Sequence, residues 1–161
     1  MSQAGLIKLE TGAAAPDFSL PDADMEMLRL SKLRGKTVVI YFYPKDDTPG
    51  CTVEAIEFSD LEDEFIKYNT VILGISKDDC ISHADFRDKH GLTVSLLADV
   101  EGKVCEKYGV WQEKEKDGVH KMGIVRSTFV VDAEGTLRHV QYGVVAKGHA
   151  AEILDLVKSI A

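Results

Sequence analysis

The chain has 161 residues, 45% of them hydrophobic and 29% charged, with a formal net charge of −8. These values are typical of one globular domain, and we expect a single domain over residues 1–161. The acidic balance argues against nucleic acid and anionic membranes as partners, because no excess of basic residues is available to bind phosphates.

The start of the chain and its cysteines indicate a reducing environment. No basic stretch followed by a long apolar run opens the sequence, and no segment approaches the ~18 consecutive apolar residues of a membrane span. The cysteines, Cys51, Cys80 and Cys105, are an odd number without C-x-x-C spacing, which argues against a disulfide framework and against a zinc site. We therefore expect a cytoplasmic protein with free thiols and no bound metal.

The first half of the chain predicts two strands and a helix. Residues 15–22, APDFSLPD, contain two prolines and alternate apolar with polar side chains, which predicts a short edge strand or hairpin arm. Residues 37–43, TVVIYFY, predict a central strand buried on both faces. The loop at 44–50, PKDDTPG, is rich in turn formers, and helical spacing of apolar residues begins at about Cys51.

The second half adds strands and helices in alternation. The patterns predict a core strand at 70–76, a helix from 78 to 91, a short strand at 96–98, a short helix at 103–108, an exposed charged loop at 112–119, a hairpin of strands at 128–131 and 137–142, and a last helix at 149–160. This order indicates an α/β fold with a mixed central sheet flanked by helices. It is the order of a thioredoxin-like fold with extra N-terminal strands, although other three-layer folds share it.

Cys51 lies where a buried strand ends, a tight loop turns and a helix begins. The first N–H groups of a helix have no partner within it, and the positive end of its dipole favours a thiolate. Thr48 can direct its hydroxyl to the same point. Pro44 and Pro49 stiffen the loop, and Gly50 allows close backbone approach. Cys51 is thus a candidate nucleophile, with a core role as the alternative.

Several charged residues surround this position in the sequence. Asp46, Asp47 and Glu54 would oppose a thiolate if they pointed at it, so a cation is needed to offset them. Lys45 is the local candidate and Arg126 the distant one. Arg126 precedes a predicted strand, so it can reach the carboxyl end of the central strand only if its own strand runs antiparallel.

The segment around Cys51 resembles a known family signature. Residues 43–52, YPKDDTPGCT, match the peroxiredoxin pattern Pro-x-x-x-Thr-x-x-Cys, and residues 41–55 resemble the bacterioferritin comigratory protein, or peroxiredoxin Q, subfamily. Further matches are GIS at 74–76, SHADF at 82–86, YGVW at 108–111 and RSTFVVD at 126–132. The resemblance covers nearly the whole chain and implies a thioredoxin-like peroxidase fold.

The resemblance also implies roles for the site residues. Cys51 would be the peroxidatic cysteine, whose thiolate attacks a hydroperoxide and becomes a sulfenic acid. Thr48 would hydrogen-bond the thiolate and the peroxide, and Arg126 would stabilise the thiolate and the leaving oxygen. Pro44 would shield the site from water, and the N–H groups of Gly50 and Cys51 would help hold the peroxide. Hydrogen peroxide and organic hydroperoxides are the implied substrates, and no cofactor is implied.

The chain departs from its subfamily at the usual positions of a second, resolving cysteine. Those positions hold Ile56 and Arg87 here. This favours a one-cysteine cycle in which thioredoxin, glutaredoxin or a small thiol reduces the sulfenic acid. Cys80, at the start of the helix that carries Arg87, is the alternative resolving cysteine in a two-cysteine cycle, and Cys105 is interpreted as a core residue.

Other functions fit the sequence less well. A thioredoxin-type oxidoreductase needs a second cysteine where Glu54 stands, and a glutathione peroxidase pairs its thiol with a downstream Gln and Trp, which the context of Arg126 does not match. A non-enzymatic thioredoxin-fold binding module stays as the alternative from a different class. No apolar patch indicates a large interface, so we expect a monomer. The five histidines are scattered, and we expect them to be solvated.

Overall fold

The computed structural model describes residues 8–160 and consists of alternating strands and helices. The strands are β1 (Ser19–Pro21), β2 (Met27–Arg29), β3 (Thr37–Phe42), β4 (Thr70–Ser76), β5 (Ser95–Ala98), β6 (Trp111–Lys116), β7 (Val119–Ile124), β8 (Ser127–Val131) and β9 (Leu137–Tyr142). The helices are α1 (Pro49–Lys67), α2 (Cys80–His90), α3 (Lys103–Lys107) and α4 (His149–Ile160), with a 3₁₀ turn at Leu30–Leu33. Within residues 8–160, no helix is both long and apolar enough to cross a membrane.

A five-stranded mixed sheet lies at the centre, in the spatial order β5, β4, β3, β8, β9. The first three of these strands are parallel, because α1 and α2 return the chain across the sheet between them. β8 runs antiparallel to β3, and β9 antiparallel to β8. The α/β fold with a mixed sheet, predicted from the order of elements, is confirmed.

Alternation along the strands divides the core into two halves. On one face, Val39 and Tyr41 of β3 pack with apolar residues of α1, α2 and α4. On the other face, Val38, Ile40 and Phe42 pack with α3 and with the N-terminal segment that carries β1. Because β3 is buried on both faces, nearly all of its side chains are apolar.

The sheet topology brings two distant segments to one place. β3 ends at Phe42, and a loop leads from there directly into the first turn of α1. Phe42 pairs with Ser127, the first residue of the antiparallel strand β8. Arg126, which immediately precedes β8, therefore lies beside the end of β3, so the topological condition for its reaching Cys51 is met.

The structure corrects three details of the sequence-based prediction. Residues 112–119, predicted as a charged loop, are mostly part of a two-stranded hairpin of β6 and β7 that is indeed exposed. Its turn residues Asp117 and Gly118 have φ values of 53° and 79°, the positive values that a tight hairpin turn needs. Helix α1 begins at Pro49 rather than at Cys51, because proline is favoured in the first turn. Third, the predicted strand at 15–22 is confined to β1 (Ser19–Pro21). The hairpin-arm interpretation of this segment is confirmed, because β1 pairs antiparallel with β2 in a separate small sheet.

Gly74 in β4 lies against the ring of Tyr41, and we predict that Gly74→Ala destabilises the fold by about 1–3 kcal/mol. An added Cβ would stand 2.7 Å from the Tyr41 ring, which is fully buried and stacked on Phe58 at 4.8 Å between ring centroids. Urea-induced unfolding measures the change. As a control, Gly123→Ala meets only the flexible chain of Lys114, at 3.0 Å, and should change the free energy of unfolding by less than about 0.5 kcal/mol. Equal effects of the two substitutions would contradict this account of the core.

Candidate active site

The sulfur of Cys51 lies in the first turn of α1, beneath the surface. Cys51 is only 1% exposed. Because it follows Pro49 and Gly50 at the start of the helix, its N–H belongs to the group that the helix itself cannot satisfy. The positive end of the helix dipole and these N–H groups together favour negative charge at this point.

Arg126 provides the cation that contacts this sulfur. Its Nη2 donates a hydrogen bond to Sγ of Cys51 at 3.3 Å. The backbone carbonyl of Arg126 accepts hydrogen bonds from the N–H groups of Gly143 and Val144, which fixes the residue beside the end of β3. An added Cβ on Gly50 would stand 3.1 Å from Nη2, so a glycine there leaves room for the guanidinium.

Glu54 lies one helical turn after Cys51 and holds the other side of the same guanidinium. Nη1 of Arg126 donates to Oε1 of Glu54 at 2.6 Å. The planar guanidinium thus bridges a sulfur and a carboxylate with two separate N–H groups. The sequence-based view of Glu54 as an anion opposing the thiolate is corrected, because Arg126 pairs with its charge. The spacing of three residues, which puts two side chains on one helix face, is the signal that could have indicated this.

Burial sets the protonation of Glu54. Its side chain is fully buried, and burial raises its pKa from 4.5 to about 7, although Arg126 acts in the opposite direction. Among the described residues, Oε2 of Glu54 has no hydrogen-bond partner. A negative charge on this buried carboxyl group would therefore be only partly stabilised, which agrees with its raised pKa. Arg126 stays protonated, since it borders both groups.

Thr48 and Pro44 line the loop before α1, where both are half-buried. Thr48 occupies the N-cap position, and its hydroxyl donates to the carbonyl of Lys45 at 2.8 Å rather than to the sulfur of Cys51. This hydrogen bond leaves the lone pairs of the hydroxyl available as acceptors for a substrate O–H group. Lys45, the local cation considered from the sequence, has an exposed side chain.

The two aspartates of this loop are paired with helix α2. Asp47 is exposed and contacts Lys89 at 2.7 Å and His90 at 2.9 Å. Asp46 is buried and contacts His83 at 2.7 Å. Neither carboxylate therefore presents an uncompensated charge to Cys51, contrary to the concern raised by the sequence.

The expectation that the histidines are solvated is wrong for two of them. His83 and His149 are almost completely buried, at 0% and 1% exposure. Nε2 of His149 lies 2.8 Å from the hydroxyl of Thr128, and burial lowers the pKa of His149, which favours its neutral form. These contacts join segments far apart in the chain, so no local pattern indicated them.

One group of side chains has the spacing of a metal site. The ligand atoms of Asp46, Asp78 and His83 all lie within 4.8 Å of one another. All three already have hydrogen-bond partners within the protein: Asp78 Oδ2 accepts from the N–H of Asp46 at 2.8 Å and from the hydroxyl of Ser76 at 2.7 Å. Hydrogen bonding therefore accounts for this cluster without an ion.

The remaining cysteines occupy different environments from Cys51. Cys80 is partly exposed at the start of α2, where burial and then the charges of Asp22 and Asp79 raise the pKa of its thiol. Cys105 is fully buried in α3, as expected, and burial followed by the charge of Asp99 raises its pKa far above the usual range. Neither thiol is favoured as a thiolate.

Comparison with known proteins gives one consistent family. The model of the AhpC/TSA family matches residues 11–140. A putative peroxiredoxin bcp of Coxiella burnetii is 46% identical over 148 residues, which are 92% of this chain and 98% of that relative. Peroxiredoxin Bcp of Bacillus subtilis is 43% identical over 153 residues, 95% of this chain and 98% of that relative.

Solved structures give the same result. The bacterioferritin comigratory protein of Xanthomonas campestris superimposes with a TM-score of 0.87 at 38% identity, covering 94% of this chain and 97% of that one. A mutant form of the PrxQ protein of Xylella fastidiosa superimposes with a TM-score of 0.90 at 32% identity, covering 96% and 98%.

A thioredoxin-like sheet with a buried cysteine at a helix start, together with these matches, defines the class as thiol-dependent peroxidases. The chain belongs to the AhpC/TSA family and, within it, is a peroxiredoxin of the bacterioferritin comigratory protein type. Peroxiredoxins act on hydroperoxides and are returned to the thiol form by thioredoxin-type reductants.

The raised pKa of Glu54 predicts how stability depends on pH. Since the folded-state pKa of about 7 lies above the ordinary 4.5, the folded protein binds this proton more tightly than the unfolded chain. The resulting stabilisation is complete below pH 4.5 and is lost as pH rises through 7, a change of about 3 kcal/mol. Glu54→Gln should lack this fall in the free energy of unfolding with rising pH. Denaturant-induced unfolding measured from pH 4.5 to 8 tests this.

The matched control is Glu64→Gln on the same helix. Glu64 is partly exposed, and its hydrogen bond from Lys67 lowers its pKa, so this variant should keep the decline in stability above pH 4.5. A Glu54→Gln protein whose pH profile follows that of the wild type would show that Glu54 ionises normally.

Proposed function

We propose that Cys51 is the peroxidatic cysteine and that Arg126 and Thr48 are its catalytic partners. The hydrogen bond from Arg126 Nη2 to Sγ of Cys51, at 3.3 Å, is the observation that carries this assignment. A permanent cation in contact with the sulfur stabilises the thiolate, the only form that attacks peroxide efficiently. Burial strengthens this electrostatic contact, because little water screens it.

The proposed reaction begins with attack of the Cys51 thiolate on the terminal oxygen of a hydroperoxide. The S–O bond forms as the O–O bond breaks, and the leaving oxygen departs with the bonding electrons and takes up a proton, giving water or an alcohol. Cys51 becomes a sulfenic acid. N–H groups of Arg126 would stabilise charge on the leaving oxygen as well as on the sulfur.

Thr48 and the start of α1 would hold the peroxide for this attack. The Thr48 hydroxyl, which donates to Lys45, can accept a hydrogen bond from the peroxide O–H. The N–H groups of Gly50 and Cys51 can donate to its oxygens, and Pro44 would limit access of water to the sulfur. Orienting the O–O bond in this way supplies rate that a stabilised thiolate alone cannot, since nucleophilicity falls as a thiolate is stabilised.

We further propose a one-cysteine cycle. An external thiol attacks the sulfenic acid of Cys51, releasing water and forming a mixed disulfide, and a second thiol reduces that disulfide. Thioredoxin, glutaredoxin or a small thiol would supply these equivalents. The raised pKa of Cys80 supports this choice, because a resolving cysteine must attack as a thiolate. The alternative is a two-cysteine cycle with Cys80 as the resolving residue.

The substrates and setting are part of the same proposal. We propose that hydrogen peroxide and organic hydroperoxides are both reduced; the Xanthomonas campestris relative is described with an alkyl peroxide reduction activity. The enzyme would act in the cytoplasm as a single-domain monomer that needs no cofactor.

The three cysteines can be separated by substitution. Cys51→Ser should abolish peroxide consumption in the presence of a thiol reductant, whereas the matched Cys80→Ser should keep at least about half of the activity, because its thiol takes no part in a one-cysteine cycle. After one equivalent of peroxide, intact-mass analysis should show one added oxygen on the wild type. Activity in Cys51→Ser would refute the peroxidatic assignment, and a Cys51–Cys80 disulfide would establish the two-cysteine cycle instead.

The roles of Arg126 and Thr48 can be tested by substitutions that remove their hydrogen-bonding groups, with a hydroxyl-retaining variant of Thr48 as the control. Arg126→Ala and Thr48→Val should each lower the rate constant for oxidation of Cys51 by hydrogen peroxide about 10²–10³-fold, the usual effect of removing a transition-state donor. Thr48→Ser keeps the hydroxyl and should retain most of the rate. Near-normal rates in both disrupted variants, measured by stopped-flow mixing, would refute the roles assigned to these side chains.

A further inference from the structure

A buried polar network joins the loop before Cys51 to helix α2. Asp46 is the centre of this network, in the middle of the loop, and is only 7% exposed. Its N–H donates to Oδ2 of Asp78 at 2.8 Å, so the backbone of the loop is fixed as well as the side chain. Asp78 precedes α2, which means that the loop is attached to the segment leading into that helix.

The carboxylate of Asp46 has three further partners. Oδ1 accepts from the hydroxyl of Tyr43 at 2.5 Å, and Oδ2 accepts from the hydroxyl of Ser82 at 2.8 Å. Nδ1 of His83 lies 2.7 Å from the same Oδ2. Burial raises the pKa of Tyr43 far above its usual range, so its phenol remains a donor. Both oxygens of this buried carboxylate keep their hydrogen-bond partners only while the loop holds its present position.

His83 extends the network to the sheet. It is fully buried, and its Nε2 lies 2.9 Å from the carbonyl of Leu97 in β5. A carbonyl only accepts, so Nε2 carries a hydrogen, and a second proton is shared between Nδ1 and Asp46. Asp46 and His83 thus form a buried hydrogen-bonded pair, with the hydroxyls of Tyr43 and Ser82 as further donors to the carboxylate. The pair therefore connects the loop, α2 and β5.

A buried polar pair contributes little net stability, because desolvation opposes the attraction between its partners, but it favours one arrangement of the groups that form it. The neighbouring Asp47 provides the contrast. It also joins the loop to α2, through Lys89 and His90, yet its carboxylate is partly exposed to solvent, where ion pairs contribute little. Of these two carboxylates, that of Asp46 makes the buried contacts that fix the loop.

We propose that Asp46 and His83 are positioning residues of the peroxidase, whose buried pair holds the loop so that Thr48 and the first turn of α1 meet an incoming peroxide. The inference rests on the proposed role of Cys51. Neither residue is among the groups that contact the sulfur. Each acts through the conformation of the loop, so the geometry of the peroxide site depends on α2 being docked.

The test compares one chemical change at adjacent positions. Asp46→Asn keeps an acceptor for Tyr43 but replaces the oxygen that serves Ser82 and His83 with an NH₂ group. It should lower the rate constant for oxidation of Cys51 by hydrogen peroxide by about 10–100-fold, as small displacements of a site do. Asp47→Asn, where asparagine tolerates the φ of 60°, should stay within about twofold of the wild type.

A second rate separates positioning from loss of stability. If the loop is released, the thiol of Cys51 becomes more exposed, so Asp46→Asn should speed its alkylation by iodoacetamide, followed peptide by peptide with mass spectrometry, while the peroxide reaction slows. A purely structural role would leave both rates unchanged in protein that circular dichroism shows to be folded. If Asp46→Asn does not fold, Ser82→Ala removes one donor from the same carboxylate and should shift both rates in the same directions, several-fold.

The outcomes distinguish this inference from the assignment on which it rests. A wild-type peroxide rate in folded Asp46→Asn, or equal losses in Asp46→Asn and Asp47→Asn, would overturn the positioning role even if Cys51→Ser is inactive. Peroxide consumption by Cys51→Ser would instead overturn the peroxidatic assignment and the positioning role with it.

Discussion

The contact between the guanidinium of Arg126 and the sulfur of Cys51 is the interaction on which the rest of the site depends. The two residues lie 75 positions apart in the sequence and meet because β8 runs antiparallel to β3. The other N–H face of Arg126 is occupied by Glu54, a buried carboxylate, so the cation cannot turn away from the sulfur without leaving that carboxylate unpaired. Contacts on two sides of the planar guanidinium hold the charge of Arg126 beside the sulfur.

Burial has two opposing consequences for this enzyme. It strengthens the electrostatic contact of the sulfur with Arg126, since little water screens it. It also closes the sulfur, which is 1% exposed, to any thiol larger than a peroxide. Under the proposed one-cysteine cycle, an external thiol could reach the sulfenic acid only after the protein around Cys51 moves, and the Asp46–His83 pair is one of the contacts that hold the loop in place.

Features set by local pattern were predictable from the sequence, and features set by long-range pairing were not. The apolar run of β3, the turn-rich loop and the helix after it placed Cys51 correctly, because each is a short-range signal. The hairpin of β8 and β9 was predicted, but the antiparallel direction of β8 relative to β3 was only a condition, because a hairpin fixes the relative direction of its own two strands alone. By contrast, the charge of Glu54 was interpreted without its partner 72 residues away, and His83 gave no sign of burial. The β6–β7 hairpin was missed because charged side chains on both faces concealed its alternation, although its Asp-Gly turn was visible.

The most direct test of the central contact is a double-mutant cycle between Arg126 and Glu54, with the rate constant for oxidation of Cys51 by hydrogen peroxide measured in the wild type, Arg126→Ala, Glu54→Gln and the double variant. If Glu54 acts on the sulfur through Arg126, its substitution slows the wild type but has no further effect once the guanidinium is gone. Two effects that simply add would contradict the account, because they would show that Arg126 and Glu54 influence Cys51 independently.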